Sequence, residues 1–380
     1  MNRAKARMLV VAGLLLGAPY AWATTPNTVV VGTCRPKMPN YATISAAVAL
    51  GGTVMVCPGS YAEQIVISTP LTLEGISNGN ADLAVITVPS GGLSTSFTNI
   101  FGGAIVAQVL VTTGPVNISN ITVDGTGNGV SGQDLAGVAY ESGSSGTVNE
   151  VTVRNEIEGG SGNGIWAENG NTTNDSVTIE NSSVHDFDET GIVLLNNQSP
   201  PTLTVTIKGN EVTGSVGAGG IFVNGAAGGV SGNEVGVRNE GIAVGSTSPV
   251  SITGNTVTGA AVGIEANDGN IVKANVVLNS TTEAIFLGIA GGSTVQSNLI
   301  GNSAIGIEFN CVSETVSGNT IRDTGTALSD VPLSQPLLAN TYQDVAAIRS
   351  GGFCTAARTK ALAAAAAAAT AKRLAALGVH

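Results

Sequence analysis

Three short segments of this 380-residue chain end in residues that can do proton chemistry: "NITVDG" (120–125), "EVTVRN" (150–155) and "NSSVHD" (181–186). Aligned on their central valines, Val123, Val153 and Val184, they place Asp124, Arg154 and His185 at one equivalent position. Asn155 and Asp186 follow in the next. A carboxylate, a guanidinium and an imidazole on neighbouring strands have the types needed to abstract or deliver a proton on a sugar ring. His185, Arg154, Asp124 and Asp186 are therefore the candidate catalytic residues. His185 stands out because the chain's other histidine is the terminal His380. The segments after these strands carry the densest run of acids, Asp134, Glu141, Glu156, Glu158, Asp188 and Glu189. Two of them paired would suit glycoside hydrolysis. Asp186, Asp188 and Glu189, which offer oxygen ligands only, would suit calcium. No other cofactor is implied. The competing reading is a solvated polar surface in which Arg154 pairs with Asp124.

Such a column exists only if the chain stacks on itself, and a repeat says that it does. An Asn recurs at 210, 233, 255, 275, 298 and 319, in steps of 20 to 23 residues. A Gly-Ile or related pair tracks it at Gly220-Ile221, Gly241-Ile242, Gly263-Ile264, Ala284-Ile285, Gly306-Ile307 and Ala327-Leu328. A fixed period of this length means identical stacked units. Within each unit the apolar residues alternate over three to five positions, the pattern of short strands. Three strands and three turns fill one coil of a parallel β-helix. On this reading the repeated Asn occupies a turn and, pointing inward, bonds the Asn of the next coil. The Gly before Ile serves a corner, through a positive φ or a close backbone approach.

In the motif Gly-Ile-x-Val the x residue points outward, which lines up Trp166, Val193, Phe222, Ala243, Glu265, Phe286 and Glu308. Trp166, Phe222 and Phe286 are the candidate substrate-binding residues, since exposed rings on a flat face stack on sugars. The same column is open to cover by a loop or a partner. Downstream, the position of His185 becomes Thr213, Gly236, Thr258, Leu278 and Gly301, which offers no chemistry.

Bulk properties narrow the partners. Charged residues make up 11% of the chain, with 15 Lys+Arg against 26 Asp+Glu. That balance excludes nucleic acid and anionic membrane surfaces, which need a basic stripe. Residues 1–23 read as a signal peptide: a basic start at Arg3, Lys5 and Arg7, an apolar core, and a small-x-small end at Ala23. An exported protein with no span after cleavage is expected. In an oxidising compartment the four cysteines form disulfides, with Cys34–Cys57 and Cys311–Cys354 preferred of the three pairings. Residues 24–75 are expected to be an N-terminal cap and first coils, with a capping helix over 40–50. Residues 76–354 are the parallel β-helix, and 355–380 an Ala-rich helix. The oligomeric state is left open.

Residues 40–75, "NYATISAAVALGGTVMVCPGSYAEQIVISTPLTLEG", resemble the N-terminal cap and first coil of the pectin-lyase-like superfamily. The matching elements are the Thr-Ile-x-x-Ala-Val helix, the "GTVMVCPGSY" strand and turn, Glu63, and "PLTLEG". The later Asn/Gly-Ile coils are similar to the repeats of that superfamily, including its NosD-like branch. The resemblance implies an all-β, right-handed parallel β-helix and a polysaccharide or surface glycan as partner. It supplies no catalytic motif: the Asp-Asp and His-Gly pairs of polygalacturonases are absent. Function is thus bracketed between a polysaccharide lyase or glycoside hydrolase using Asp124, Arg154 and His185, and a non-catalytic surface or adhesion scaffold.

Overall fold

The period of about 22 residues is the length of one coil. Val250–Thr253, Thr256–Thr258 and Val262–Ala266 are three strands of a single turn, and each pairs in parallel with its counterparts one coil before and after. A computed structural model describes residues 27–350, apart from 78–82, 215–216, 246–249, 268, 289–290, 333–335 and 337–338, together with residue 354. Among these residues the strands form three parallel sheets of 13, 12 and 13 strands, here A, B and C, in about twelve turns. The expected signal peptide, the Ala-rich helix and His380 lie outside the described residues.

Alternation decides which side chains enter. In sheet B, Val123, Val153, Val184, Val212, Val235, Val257 and Val277 pair in register and are all fully buried. In sheet C, Ile165, Ile192, Ile221, Ile242, Ile264, Ile285 and Ile307 do the same. One coil has no way to bury its apolar face, so each coil is stable only between neighbours.

The repeated asparagines form an amide ladder along the turn from sheet A to sheet B. Each side-chain Nδ2 from Asn210 to Asn319 donates to the Oδ1 of the next asparagine at 2.8–3.0 Å, ending on Asn340. The same Oδ1 atoms accept the backbone N–H of the preceding asparagine at 2.9–3.0 Å. A second Nδ2 proton reaches a backbone carbonyl, as from Asn255 to Val230. The ladder runs one rung beyond the sequence motif at each end, since Ser182 donates its N–H to Asn210 and Asn340 receives from Asn319.

Two glycine roles separate. The residue before each ladder asparagine takes the left-handed conformation: Gly254 has φ +66°, while Ala274 and Ser297 hold φ +56° despite their side chains. The glycine before isoleucine has no such φ. At Gly241 an added Cβ would strike the carbonyl of Gly263 and the side chain of Val257, so here close backbone approach is the operative reason.

At the N-terminal end the helix is shorter than the expected 40–50. It spans Ile44–Val48, because Asn40–Tyr41 is drawn into a strand beside Val30 and Val31. Thr43 caps it, and the Glu63 carboxylate accepts the N–H groups of Ile44 and Ser45 at 2.8 and 2.9 Å. Both preferred disulfides form, Cys34–Cys57 and Cys311–Cys354. Among the described residues no helix is long and apolar enough to cross a membrane.

The ladder makes a direct prediction. Asn255→Ala deletes both side-chain bonds to its neighbours and strands the Asn233 amide in the dry interior, at a cost on the order of 2–4 kcal/mol. Chemical denaturation should show a lowered midpoint, whereas the exposed Asn239→Ala should move stability by less than about 0.5 kcal/mol.

Candidate functional site

The strand register brings the sequence-predicted residues into one row. Asp124 pairs with Arg154, Arg154 with His185, and His185 with Thr213, on the outer face of sheet B. They face outward because the preceding valines face in. Asp124 and Arg154 form a close ion pair, with Arg154 Nε donating to Asp124 Oδ2 at 2.9 Å. Asp124 Oδ1 also accepts from the Thr126 hydroxyl at 2.6 Å and from Asn155 Nδ2 at 2.9 Å. Partial burial alone would raise the Asp124 pKa, but hydrogen bonds from Thr126, Asn155 and Arg154 outweigh it and hold the group at about 2. It is a fixed anion and no proton donor. His185 instead shares an exposed contact with its neighbour, Nδ1 to Asp186 Oδ2 at 2.7 Å. Asn155 and Asp186 both adopt the left-handed conformation, at φ +61° and +55°, where the chain leaves sheet B.

The acids further along these turns fall into a second group with different physics. Asp188 accepts the backbone N–H groups of Glu158, Gly160 and Gly162 at 3.1, 2.8 and 2.8 Å, so it closes the loop of the preceding coil. Glu189 accepts from Asn163 Nδ2 at 2.7 Å. Burial, with Asp134, Asp188 and Glu158 nearby, pushes its pKa up to about 8. Asp134 is raised to about 6, by burial first and by Glu158 second, with relief from Ser161. A proton-holding carboxyl thus lies beside a second carboxyl that ionises near neutrality. That separation of roles is the arrangement acid–base catalysis uses.

The expected calcium set does not assemble. Asp186 turns out to His185, Asp188 is spent on backbone N–H groups, and Glu189 turns in to Asn163. Consecutive side chains on this turn diverge, and among the described residues no group of three or more His, Cys, Asp or Glu is placed to hold a metal ion. Glu156 departs from its loop neighbours in another way. It is fully buried beneath Gly125 and Gly137, and burial, with Asp124 as a lesser cause, drives its pKa well up. Only the two facing glycines signalled room for it in the sequence.

The aromatic column is in register, Trp166 beside Val193, Val193 beside Phe222, and Glu265 beside Phe286, but it is not the open surface expected. Trp166 is 0% exposed and Phe222 3%. Both belong to a second apolar cluster on the outer side of sheet C, with Phe97, Ile100 and Phe101 packed into it from a segment outside the repeat. Only Phe286, beyond that cover, is partly exposed.

Below His185 the face of sheet B opens into a shallow groove of about 380 Å³, floored by Gly214, Gly236 and Gly259 and flanked by Arg238, Thr258 and Asn279. The small residues that offered no chemistry in the sequence leave this space, and Arg238, which sequence reasoning missed, stands exposed at its side.

Residues 202–341 match the family model described as "Periplasmic copper-binding protein (NosD)". The Dettilon tailspike protein is similar in structure, with a TM-score of 0.53 at 15% identity, covering 80% of this chain and 64% of the tailspike. The chain is a right-handed parallel β-helix protein. The A-module of the Azotobacter vinelandii mannuronan C-5 epimerase AlgE4 also aligns, at a TM-score of 0.45 and 16% identity over 82% of this β-helix and 92% of the module. Pectin methylesterase PemA from Erwinia chrysanthemi gives 0.32 and 9% over 84% and 93%. This β-helix spans under two thirds of the tailspike's length. No curated protein matches it by sequence.

The copper in that family description finds no suitable ligands here. The matched segment contains no histidine and no methionine, and its one cysteine, Cys311, is bonded to Cys354. Copper sites need imidazole, thiolate or thioether donors, so the residues present do not fit the metal.

The state of Glu189 is open to measurement. Its pKa, raised from an ordinary 4.5 to about 8, means that it contributes stability fully below about pH 4.5 and loses it as pH climbs through 8. Glu189→Gln, which keeps the shape and cannot ionise, should flatten that part of the curve, so the thermal midpoints of variant and wild type should diverge steadily from pH 5 to pH 8.5.

Proposed function

We propose that this is an exported protein that binds polysaccharide along the outer face of sheet B and processes it at the turns that follow the Arg154–His185 row, where Asp134 and Glu189 lie. The observation that carries the reading is the carboxyl pair itself. In a chain with few charges, a buried Asp134 and a partly buried Glu189, two coils apart, are pushed to different pKa values on the turns that follow the row ending in His185. Neutral Glu189 would protonate a departing glycosidic oxygen, and ionised Asp134 would take the proton of an attacking water. Arg154, pinned by Asp124, and His185 would position the sugar ring. Each coil adds about 4.8 Å, so a polymer lying along the helix axis would run from this row into the groove beside Arg238. Export is supported by the two disulfides, by the basic-then-apolar character of residues 1–23, and by the word periplasmic in the family description.

A second reading, a non-catalytic glycan-binding or adhesion scaffold, draws on the Asp124–Arg154 pair, which already neutralises the most obvious cationic contact for a sugar acid.

The mature protein, incubated with polygalacturonate, alginate and neutral glucans, should release reducing ends or unsaturated products from one of them. His185→Ala should lower turnover at least tenfold, and Glu189→Gln should abolish it while binding persists. Activity should fall as pH rises through about 8, where Glu189 loses its proton. Tight binding without turnover by wild type at any pH would select the scaffold instead.

A further inference from the structure

The cover over the aromatic face is built as a separate piece of chain. Ser96–Thr98 returns antiparallel to Ala104–Val106, the one antiparallel pairing among the described strands. Between them Asn99–Gly103 makes a closed turn in which Asn99 Oδ1 accepts the N–H groups of Phe101 and Gly103 at 2.9 and 3.0 Å. Gln64 clamps the base of this segment through the N–H groups of Ser94 and Thr95. Its tip is held to the coils beneath by two polar contacts. Ile100 N–H donates to Glu168 Oε2 at 3.2 Å, and Asn197 Nδ2 donates to the Ile100 carbonyl at 3.4 Å. Ile100 and Phe101 also pack into the cluster that holds Trp166 and Phe222.

Glu168 sits at the centre of this closure. It is 2% exposed and accepts at once from Trp166 Nε1, at 3.1 Å, and from the Ile100 N–H. It therefore joins the cover to the ring that the cover hides. We propose that the Asn99–Gly103 turn is a gate over an aromatic carbohydrate-binding face of sheet C, and that Glu168 is its latch. The inference deepens the polysaccharide reading by giving that protein a second, regulated surface, and its ligand class, the apolar faces of sugar rings, rests on that reading.

The latch answers to protons. Burial raises Glu168 to about 7, with Glu141 on the preceding coil adding to it and the bonds from Trp166, Ile100 and Ser142 working against it. No other charge faces it from the cover or the following coil, since residues 93–103 and 190–198 contain none. A neutral carboxyl tolerates the dry seat and an ionised one seeks water. The closed state is thus favoured below Glu168's ordinary value of 4.5 and progressively lost as pH rises through about 7. If opening restores that ordinary value, the open population grows on the order of fifty- to a hundredfold between pH 5 and pH 8.

Trp166 is its own reporter, because the chain's other tryptophan is Trp22. In a Trp22→Phe background, acrylamide quenching of Trp166 should rise from pH 5 to pH 8, and Glu168→Gln should abolish that rise. Ile100→Ser, which loosens the tip without touching Glu168, should give an accessible Trp166 across the range. Binding of polygalacturonate and of a neutral glucan, followed by calorimetry, should strengthen with pH in wild type and stay strong in Ile100→Ser. Quenching that is flat with pH in wild type, or rises equally in Glu168→Gln, overturns the latch. An accessible Trp166 that binds neither polymer overturns the ligand and leaves the latch standing, and products released at the Glu189 row would still support the polysaccharide reading.

Discussion

Every coil from Asn210 to Asn319 must present its corner amide to the coil that follows, within about 3 Å and in a dry interior. That requirement governs the rest. Each ladder asparagine saves a backbone N–H, its own amide and a carbonyl from burial without a partner, and each such loss would be costly in a medium that cannot replace the bond. To place the amide, the preceding residue takes the left-handed conformation, which is why Gly209, Gly232, Gly254 and Gly318 precede it. Once the corner is fixed, strand register is fixed, since a slip of one residue would turn every inward valine to solvent. The apolar columns are therefore a consequence of the ladder's spacing as much as its companions.

The same constraint tells where chemistry can reside. Inward positions are committed to stacking, and the outward positions of the uniform coils after residue 210 carry small or isolated side chains. Departures from uniformity appear where turns lengthen, between residues 124 and 190. There Asp188 closes the loop of the coil before it, Glu156 turns inward beneath two glycines, and Glu189 meets Asp134. Asp134, Glu156 and Glu189 are poorly solvated and close to other carboxyls, and both conditions raise their pKa values. A long turn on a rigid stack thus makes perturbed acids with no need for an elaborate pocket.

Much of this was legible in the chain because a β-helix converts sequence separation into contact. The repeat was enough to place Asp124, Arg154 and His185 in a row, and the grouping of the four cysteines two at each end was enough to pair both disulfides. What the period does not encode is what covers the stack. Trp166 and Phe222 read as exposed because their column faces outward, yet the cover comes from residues 97–101, some seventy residues upstream of Trp166 and outside any repeat. The calcium set failed for a related reason. Residues adjacent in sequence on a tight turn point apart, whereas the carboxyls that do interact, Asp134 and Glu189, are separated by two coils' worth of chain. The polarity of a turn is readable from its residues, but the direction of each side chain depends on which neighbouring N–H groups lack a partner.

Copper sharpens the distinction between a coil and a site. The matched segment, 202–341, is the part of the chain where the ladder is most regular, and likeness there is likeness of the stacking apparatus: asparagine corners, close-packed glycines and inward aliphatics. Those residues are dictated by the fold and are silent about ligands. A metal would have to be held by side chains that the ladder does not specify, and in this chain those positions hold hydroxyls, amides and isolated charges. Oxygen-rich, weakly charged outer faces of this kind lack the imidazole, thiolate and thioether donors that copper needs. The match therefore describes how the molecule stands up and carries no statement of what it binds.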